Sequence, residues 1–305
     1  MNRREFVLTS SMASLSAVSM GLNYREWGRG LVTASDLQDY LRTLYPVSEP
    51  SVDRIVIGDP GTKIRKAGTC WMPYFRTIRK AHELGINVMV VHEPTFYAHW
   101  DLDEPKGLFY RTPSPAREKY LEAVERKKKW INDNKMVIIR CHDVLDIVKG
   151  FGIPFALGQA LGFTNDDIIR SKDYYNVYRI KPDIAWNVAM KVANSLTALN
   201  QPGIAFYGDR GRMVSSIGLG TGCICDPVQY QELEPGLSIA VDDTIRTWTQ
   251  TVYSEDTGDP LVVINHGTAE ESGTRLLNAH LSEKFPELEF LHLDQGCTYR
   301  WIAGN

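Results

Sequence analysis

The segment Ile86-Asn-Val-Met-Val-Val-His-Glu-Pro94 organises the interpretation of the whole chain. Its apolar, β-branched residues are typical of a strand that is buried on both faces in a parallel sheet. Pro94 prevents the strand from continuing, so His92 and Glu93 stand at its end. Ligands bind beyond the carboxyl ends of the strands in open α/β sheets. An imidazole beside a carboxylate at this place is either a pair of metal ligands or a chance pair in a loop.

The same arrangement recurs at a second predicted strand. Met136–Ile139 is apolar and runs into the segment Arg140-Cys-His-Asp-Val-Leu-Asp146. This segment carries His142 and two carboxylates, Asp143 and Asp146, just beyond the strand. Either carboxylate is a metal ligand or a cap for a helix that begins near Ile147, and the local sequence leaves both interpretations open.

A third apolar strand, Leu261–Ile264, ends in Asn265-His266, and a helix is predicted from about Thr268. His266 and Glu270 are four residues apart, which places both side chains on one face across a single helical turn. A histidine and a glutamate with this spacing, at a junction between strand and helix, can present two ligands to one ion.

Three strand ends therefore carry imidazole and carboxylate groups. If the three strands are parallel neighbours in one sheet, their ends lie about 5–10 Å apart. Five or six nitrogen and oxygen ligands would then converge, which is more than one ion needs and predicts a site for two metal ions. Ligation without thiolate favours zinc, manganese or iron over copper(I).

The segments between these strands carry weaker signals. Residues 96–115 are predicted to form a long loop, in which His99, Asp101 and Asp103 are solvated rather than metal ligands. Residues 158–173 and 182–199 are predicted to be mostly helical or linking. Gly218-Leu-Gly-Thr-Gly222 resembles a dinucleotide-binding loop, but Cys223 stands where the third glycine is needed. A tight turn after a strand is the better explanation, and it argues against a nucleotide-dependent oxidoreductase.

Composition narrows the class of protein. The 305 residues suffice for one or two domains with a sizeable core. The net charge of −3 argues against a general nucleic-acid or anionic-membrane surface. Five cysteines, an odd number, do not indicate a disulfide framework. Nucleic acid is therefore not an expected partner.

The N-terminus resembles a twin-arginine export signal followed by a linker, over residues 1–34. Arg3 and Arg4 are followed after one residue by Phe6, and a mildly hydrophobic, Ser/Ala-rich segment extends to Gly21. Ala17-Val-Ser19 offers a small-x-small cleavage site. The segment is too short and too rich in serine for stable membrane insertion. Export to a periplasm is predicted, and the alternative is a basic N-terminus on a cytoplasmic protein.

The three strand ends, taken in order, resemble the NIF-three-like dinuclear-metal proteins, a family often labelled type-two GTP cyclohydrolase-like. That family shows His-His-Pro, His-Thr-x-Leu-Asp and Gly-His-x-x-x-Glu in matching strand contexts. The corresponding segments here are His92-Glu-Pro94, His142-Asp-Val-Leu-Asp146 and Asn265-His-Gly-Thr-Ala-Glu270. The Gly-rich segment between the second and third motifs also matches, and the resemblance covers roughly residues 35 to 300.

The resemblance implies an α/β fold of two similar lobes over residues 35–305, each a mixed sheet flanked by helices, with the metal site in the cleft between them. It implies two divalent ions, zinc, manganese or iron, with Asp146 as the bridging ligand. The implied metal ligands are His92, Glu93, Asp146, His266 and Glu270. His142 would orient a ligand or accept a proton. The resemblance also implies a homo-oligomer, specifically a ring-shaped hexamer.

Two features depart from the family pattern. Glu93 stands where the family has its second histidine, which makes the site more anionic and leaves the identity of the metal open. The loop at about 96–115 has the character of an insertion. Two functions are compatible with these observations. One is a metal-dependent hydrolase for a nucleotide or other phosphate-containing small molecule, and the alternative is a non-catalytic metal-storage, metal-delivery or scaffold protein.

Overall fold

A computed structural model describes residues 32–103, 115–220, 222–245 and 248–302. The predicted signal segment therefore lies outside the described residues except for its last three positions, and so does most of the loop at 96–115. Among the described residues, no helix is long and apolar enough to cross a bilayer.

The described residues form α-helices and β-strands in alternation. The strands are β1 (Ile55–Ile57), β2 (Lys66–Cys70), β3 (Val88–Val91), β4 (Val137–Arg140), β5 (Ile168–Lys172), β6 (Tyr175–Ile184), β7 (Ala205–Tyr207), β8 (Met213–Gly220), β9 (Leu237–Val241), β10 (Leu261–Ile264) and β11 (Glu289–His292). The helices are α1 (Ala34–Thr43), α2 (Phe75–Glu83), α3 (Ala116–Asp133), α4 (Asp143–Ile147), α5 (Ile153–Ala160), α6 (Ala185–Leu196), α7 (Thr249–Thr257) and α8 (His266–Lys284).

The strands make two mixed sheets. The first has the order β1-β4-β3-β2-β11, in which only β1 is antiparallel to its neighbour. The second has the order β5-β6-β8-β9-β10-β7, with a parallel centre of β8, β9 and β10 and antiparallel strands on both sides. The prediction of two mixed sheets flanked by helices is confirmed.

The central strand β3 is buried on both faces, as its composition predicts. Val88 and Val90 pack into one hydrophobic cluster with Leu37 of α1, whereas Met89 packs on the other face with Ile78 of α2. β4 runs parallel to β3 and alternates in the same way. The carboxyl ends of both strands consequently lie at one edge of the first sheet.

The third motif strand, β10, does not lie beside β3 and β4. It belongs to the second sheet, between β9 and β7. The hypothesis that the three strands are neighbours in one sheet is wrong, because their local sequences specify burial but not the partner strand. The three strand ends meet instead across the cleft between the two sheets.

Two further expectations need correction. Ile168–Lys172 lies in a region expected to be helical or linking, yet it pairs antiparallel with β6 as the edge strand β5. Pairing with β6 makes this segment a strand. Its sequence carries no sign of this, because the half-exposed segment lacks the regular alternation of buried and exposed residues that indicates a strand. Asp101, expected in a solvated loop, is buried, and its Oδ1 accepts hydrogen bonds from the backbone N–H groups of Thr95 and Phe96 at 2.6 and 2.9 Å.

Candidate metal centre

Each of the three motifs is positioned by the end of a strand. His92 and Glu93 directly follow β3, and His142 follows β4 and precedes α4, which carries Asp146. The third motif lies at the start of α8, one residue beyond β10. Its Asn265 caps that helix, because the side-chain oxygen accepts a hydrogen bond from the backbone N–H of Thr268 at 3.3 Å.

One group of possible ligands is deeply buried. His92 Nε2 lies 3.2 Å from Glu270 Oε2 and 3.6 Å from Asp146 Oδ1. All three residues are buried. His92 Nδ1 lies 3.2 Å from the carbonyl oxygen of Cys141, which accepts a hydrogen bond from it, so that Nε2 is the ring nitrogen that faces the carboxylates.

This arrangement fits a cation. His92 Nε2 is a buried nitrogen without a hydrogen-bond partner among the described residues, although it faces two carboxylates. Buried polar atoms rarely lack a partner, and an ion between these three groups would serve all of them. Burial by itself lowers the pKa of His92, but the negative charge of Glu270, with that of Asp146 and Glu93, raises it to about 9.

A second group lies beside the first and is more exposed. His266 Nε2 is 3.0 Å from Glu270 Oε1 and 3.5 Å from Glu93 Oε1. Burial lowers the pKa of His266, but Glu270 outweighs it and holds the pKa well above its usual value. Gly222 lies against this group, and a Cβ there would come within 2.9 Å of Glu270 Oε1 and 3.1 Å of His266 Nε2. A side chain at position 222 would therefore displace these two ligand atoms.

Glu270 belongs to both groups and directs one oxygen to each histidine. It is fully buried, and burial raises its pKa, but the two imidazoles outweigh that effect and hold the pKa well below its usual value. The resemblance implies that Asp146 bridges two ions. In this structure, Glu270 is the carboxylate that faces both histidines, whereas Asp146 faces His92 and His142.

His142 lies next to the site. Its ring stacks on that of His92 with centroids 4.5 Å apart. Its Nδ1 is 2.9 Å from Asp143 Oδ1 and 3.4 Å from Asp146 Oδ2. Burial raises the pKa of Asp143, but hydrogen bonds from His142 and Ser51 outweigh this and hold it below its usual range. Asp143 thus orients His142, and Asp146 points to the site.

Several supporting residues escape the sequence motifs. Trp71 Nε1 donates a hydrogen bond to Glu270 Oε2 at 2.7 Å. Asp242, at the end of β9, accepts from the backbone N–H of His266 at 3.0 Å, and the neighbouring Asp243 lies 3.6 Å from His266 Nδ1. The two aspartates were detectable, since they also follow an apolar strand. Trp71 has no local signal that distinguishes it from a core residue.

A third cluster of histidine and carboxylates has a structural explanation. Glu271, His292 and Asp294 lie close enough to hold an ion. However, His292 Nε2 is hydrogen-bonded to Glu271 at 2.8 Å and its Nδ1 to Thr69 at 2.8 Å. Glu271 also accepts from the backbone N–H groups of Gln295 and Gly296. These hydrogen bonds hold the chain after β11 against α8. The Glu271 side chain thus has a structural role and does not belong to the two ligand groups.

Comparison with known proteins shows the family to which the chain belongs. A sequence model of the Duf34/NIF3 (NGG1p interacting factor 3) family matches residues 32–296, which is most of the chain. The chain belongs to the Duf34/NIF3 family. No curated protein matches it. The predicted type-two GTP cyclohydrolase-like subgroup has no support beyond the motifs themselves.

Solved structures share the NIF3 fold. Staphylococcus aureus protein SA1388 superposes with a TM-score of 0.69 at 16% identity, over 90% of this chain and 100% of that chain. A Bacillus cereus protein related to NIF3 gives a TM-score of 0.69 at 13% identity, over 90% and 99%. Reduced HcgD from Methanocaldococcus jannaschii gives 0.64 at 19% identity, over 86% and 98%. At these identities, the similarity establishes the fold alone.

Proposed function

We propose that this NIF3-family protein binds two divalent metal ions in the cleft between its sheets and acts as a metal-dependent hydrolase. The proposed substrate is a nucleotide or another phosphate-containing small molecule. The proposed ligands are His92, Asp146 and Glu270 for the buried ion and His266, Glu93 and Glu270 for the more exposed one. Zinc, manganese or iron suits such oxygen and nitrogen ligation.

The observation that carries the proposal is the double orientation of Glu270. Each of its oxygens faces the Nε2 atom of a different histidine, and each of these Nε2 atoms faces one further carboxylate. Three carboxylates provide a formal charge of about −3, which two divalent ions would more than neutralise. Two ions held by these residues would supply Lewis acidity that lowers the pKa of a water and stabilises charge on a phosphoryl group.

His142 is the proposed proton acceptor. When Nδ1 donates to Asp143, Nε2 is the basic nitrogen of the ring. Ser51 Oγ donates to Asp143 Oδ2 at 2.7 Å, so the carboxylate that orients the imidazole is itself held in place. The His142 side chain is 19% exposed, whereas that of His92 is fully buried. His142 can therefore exchange protons with solvent or substrate.

Exposure also favours catalysis over metal storage. The His266 and Glu93 side chains keep 15% and 12% of their surface accessible, so the second group opens to the cleft. A catalytic metal site keeps an open coordination position, whereas a structural site is closed by protein ligands. The alternative, a storage, delivery or scaffold protein, predicts tight metal binding without turnover.

The test begins with metal content. Protein purified without chelators is expected to hold about two ions per chain by elemental analysis. Glu270→Gln is expected to lose both ions, whereas His266→Gln loses one. His82→Gln, at an exposed histidine of α2, is the matched control and should retain both.

The loaded protein is then assayed on a panel of nucleotides and phosphoesters. Turnover that His142→Gln reduces at unchanged metal content supports the hydrolase. Stable loading without turnover on the panel would favour the storage or delivery role. Absence of metal after reconstitution with zinc, manganese or iron would refute the proposal.

A further inference from the structure

Arg140, the last residue of β4, is a buried cation directly behind the second ligand group. It is 1% exposed and is among the largest fully buried side chains of the described residues. Its Nε donates to the carbonyl oxygen of His92 at 2.9 Å, and its Nη1 donates to the carbonyl oxygen of His99. Nη1 also lies 3.5 Å from Asp101 Oδ2. The guanidinium therefore contacts the backbone of one proposed ligand.

One nitrogen of this guanidinium, Nη2, is not hydrogen-bonded within the part of the chain that the structure describes. It lies 3.9 Å from Glu93 Oε2. A buried charge is costly unless it is paired and hydrogen-bonded. The other oxygen of Glu93, Oε1, faces His266. Glu93 thus stands between a permanent cation on one side and the second ligand group on the other.

We propose that Arg140 is the positioning residue for Glu93. Its Nη2 donates to Oε2 and leaves Oε1 as a single-oxygen ligand for the ion that His266 and Glu270 hold. The proposal rests on the proposed function. It assigns Arg140 chiefly to the more exposed ion, because Nη2 faces the Glu93 side chain, whereas Arg140 contacts only the backbone carbonyl of His92, whose ring is oriented by Cys141.

The pairing also has an electrostatic consequence. Glu93 adds a third carboxylate to a site that already contains Asp146 and Glu270, and like charges in a desolvated site repel one another. Arg140 cannot lose its charge in a protein, so it offsets Glu93 whether or not metal is present. A histidine in place of Glu93 would need no such partner.

The experiment is a double-mutant cycle on metal affinity. The full-length protein is freed of metal and titrated with Mn²⁺, following the two binding steps by calorimetry. Glu93→Gln removes the ligand and Arg140→Lys removes the group that orients it, so each is expected to weaken one of the two steps by about tenfold or more. The double variant is expected to bind no more weakly than Glu93→Gln alone, since Arg140 acts through Glu93.

Asp101→Asn is the matched control, because it alters a carboxylate that lies near Nη1 of Arg140 rather than near Nη2. It is expected to leave both Mn²⁺ steps unchanged. Additive losses in the double variant, or equal weakening of both ions by Arg140→Lys, would contradict the inference and mark Arg140 as a structural residue. If the wild type binds no Mn²⁺ at all, the proposed function itself fails, which is a different outcome.

If Arg140→Lys does not fold, a second measurement tests the same contact without replacing Arg140. In the Zn²⁺-loaded wild type, the hydrogen bond to Glu93 should slow rotation of one guanidinium group in nitrogen NMR. Glu93→Gln is expected to abolish this slow signal and Asp101→Asn to preserve it. Identical spectra of the wild type and Glu93→Gln would overturn the assignment.

Discussion

Trp71 shows how the site depends on residues that bind no metal. Its indole N–H donates to Glu270 Oε2, the oxygen that faces His92, and its ring meets the edge of the His266 ring with centroids 5.3 Å apart. Gly267 packs closely against the same indole. Trp71 therefore restrains the carboxylate that both ligand groups share.

Trp71→Phe is expected to lower the affinity for metal about 10- to 100-fold, the usual cost of losing a hydrogen bond to a ligand. The phenyl ring keeps most of the packing but cannot donate to Glu270. Titration of the metal-free protein with Mn²⁺ or Zn²⁺ provides the measurement. Trp130→Phe, at a tryptophan that packs on Phe75 and His82, is the control and should bind as the wild type does. Equal affinities in the two variants would contradict the role of Trp71.

At the scale of elements, the short helix α4 carries Asp146 and depends on a distant cap. The buried carboxylate of Asp53 accepts hydrogen bonds from the backbone N–H groups of His142, Asp143 and Val144. These groups have no partner within the helix itself. Neither Asp143 nor Asp146 caps a helix at Ile147, because both lie inside α4. The capping role belongs to a residue about ninety positions earlier.

Asp53→Ala is expected to reduce the free energy of unfolding by about 1–2 kcal/mol, since a helix loses its cap. It should also weaken binding of the buried ion, because α4 then no longer holds Asp146 in register. Urea unfolding with chelator and metal titration measure the two effects separately.

The control is Asp36→Ala, which removes the reciprocal cap between Asp36 and Thr33 in α1, away from the site. It should lower stability similarly without any change in metal affinity. Normal metal binding by Asp53→Ala would show that Asp146 is held independently of the cap.

At the scale of the whole molecule, two helices join the two sheets. Ala269 near the start of α8 packs in the core of the second sheet, and Leu277 and Leu281 pack in that of the first. α5 also contributes to both cores, because Ile153 packs in the core of the first sheet and Leu157 in that of the second. The ligands on α8 lie where this helix passes from one core to the other.

The far end of α8 makes stability depend on pH. His280 is half-buried, stacks on Phe151 with centroids 4.7 Å apart and is hydrogen-bonded to the Tyr40 hydroxyl at 2.7 Å. Burial lowers the pKa of His280, Glu283 opposes this and Lys284 adds to it. The unfolded chain therefore takes up this proton first as the pH falls. The stabilising contribution of neutral His280 is therefore fully present above the pKa that His280 has in the unfolded chain. It is lost as the pH falls through the lower pKa that His280 has in the folded protein.

His280→Gln should consequently lose less stability than the wild type between pH 7.5 and pH 5. Urea unfolding with chelator at both pH values measures this difference. His82→Gln, at an exposed histidine, should follow the wild type. Parallel pH profiles of His280→Gln and the wild type would contradict this assignment.

Local sequence determined the elements that carry the site. The β-branched runs of β3, β4 and β10 specify buried strands, Thr33 caps α1, and the four-residue spacing of His266 and Glu270 places both on one face of α8. These features depend on short-range periodicity and capping, which the sequence displays directly.

The tertiary structure alone decided which elements meet. It placed β10 in a different sheet from β3 and β4, made Ile168–Lys172 an edge strand, and brought Trp71 to Glu270 across 199 positions of sequence. It also turned Arg140, one basic residue among many in the sequence, into the buried partner of Glu93. The physical reason is that strand pairing and the pairing of buried charges depend on long-range packing, which no local pattern specifies.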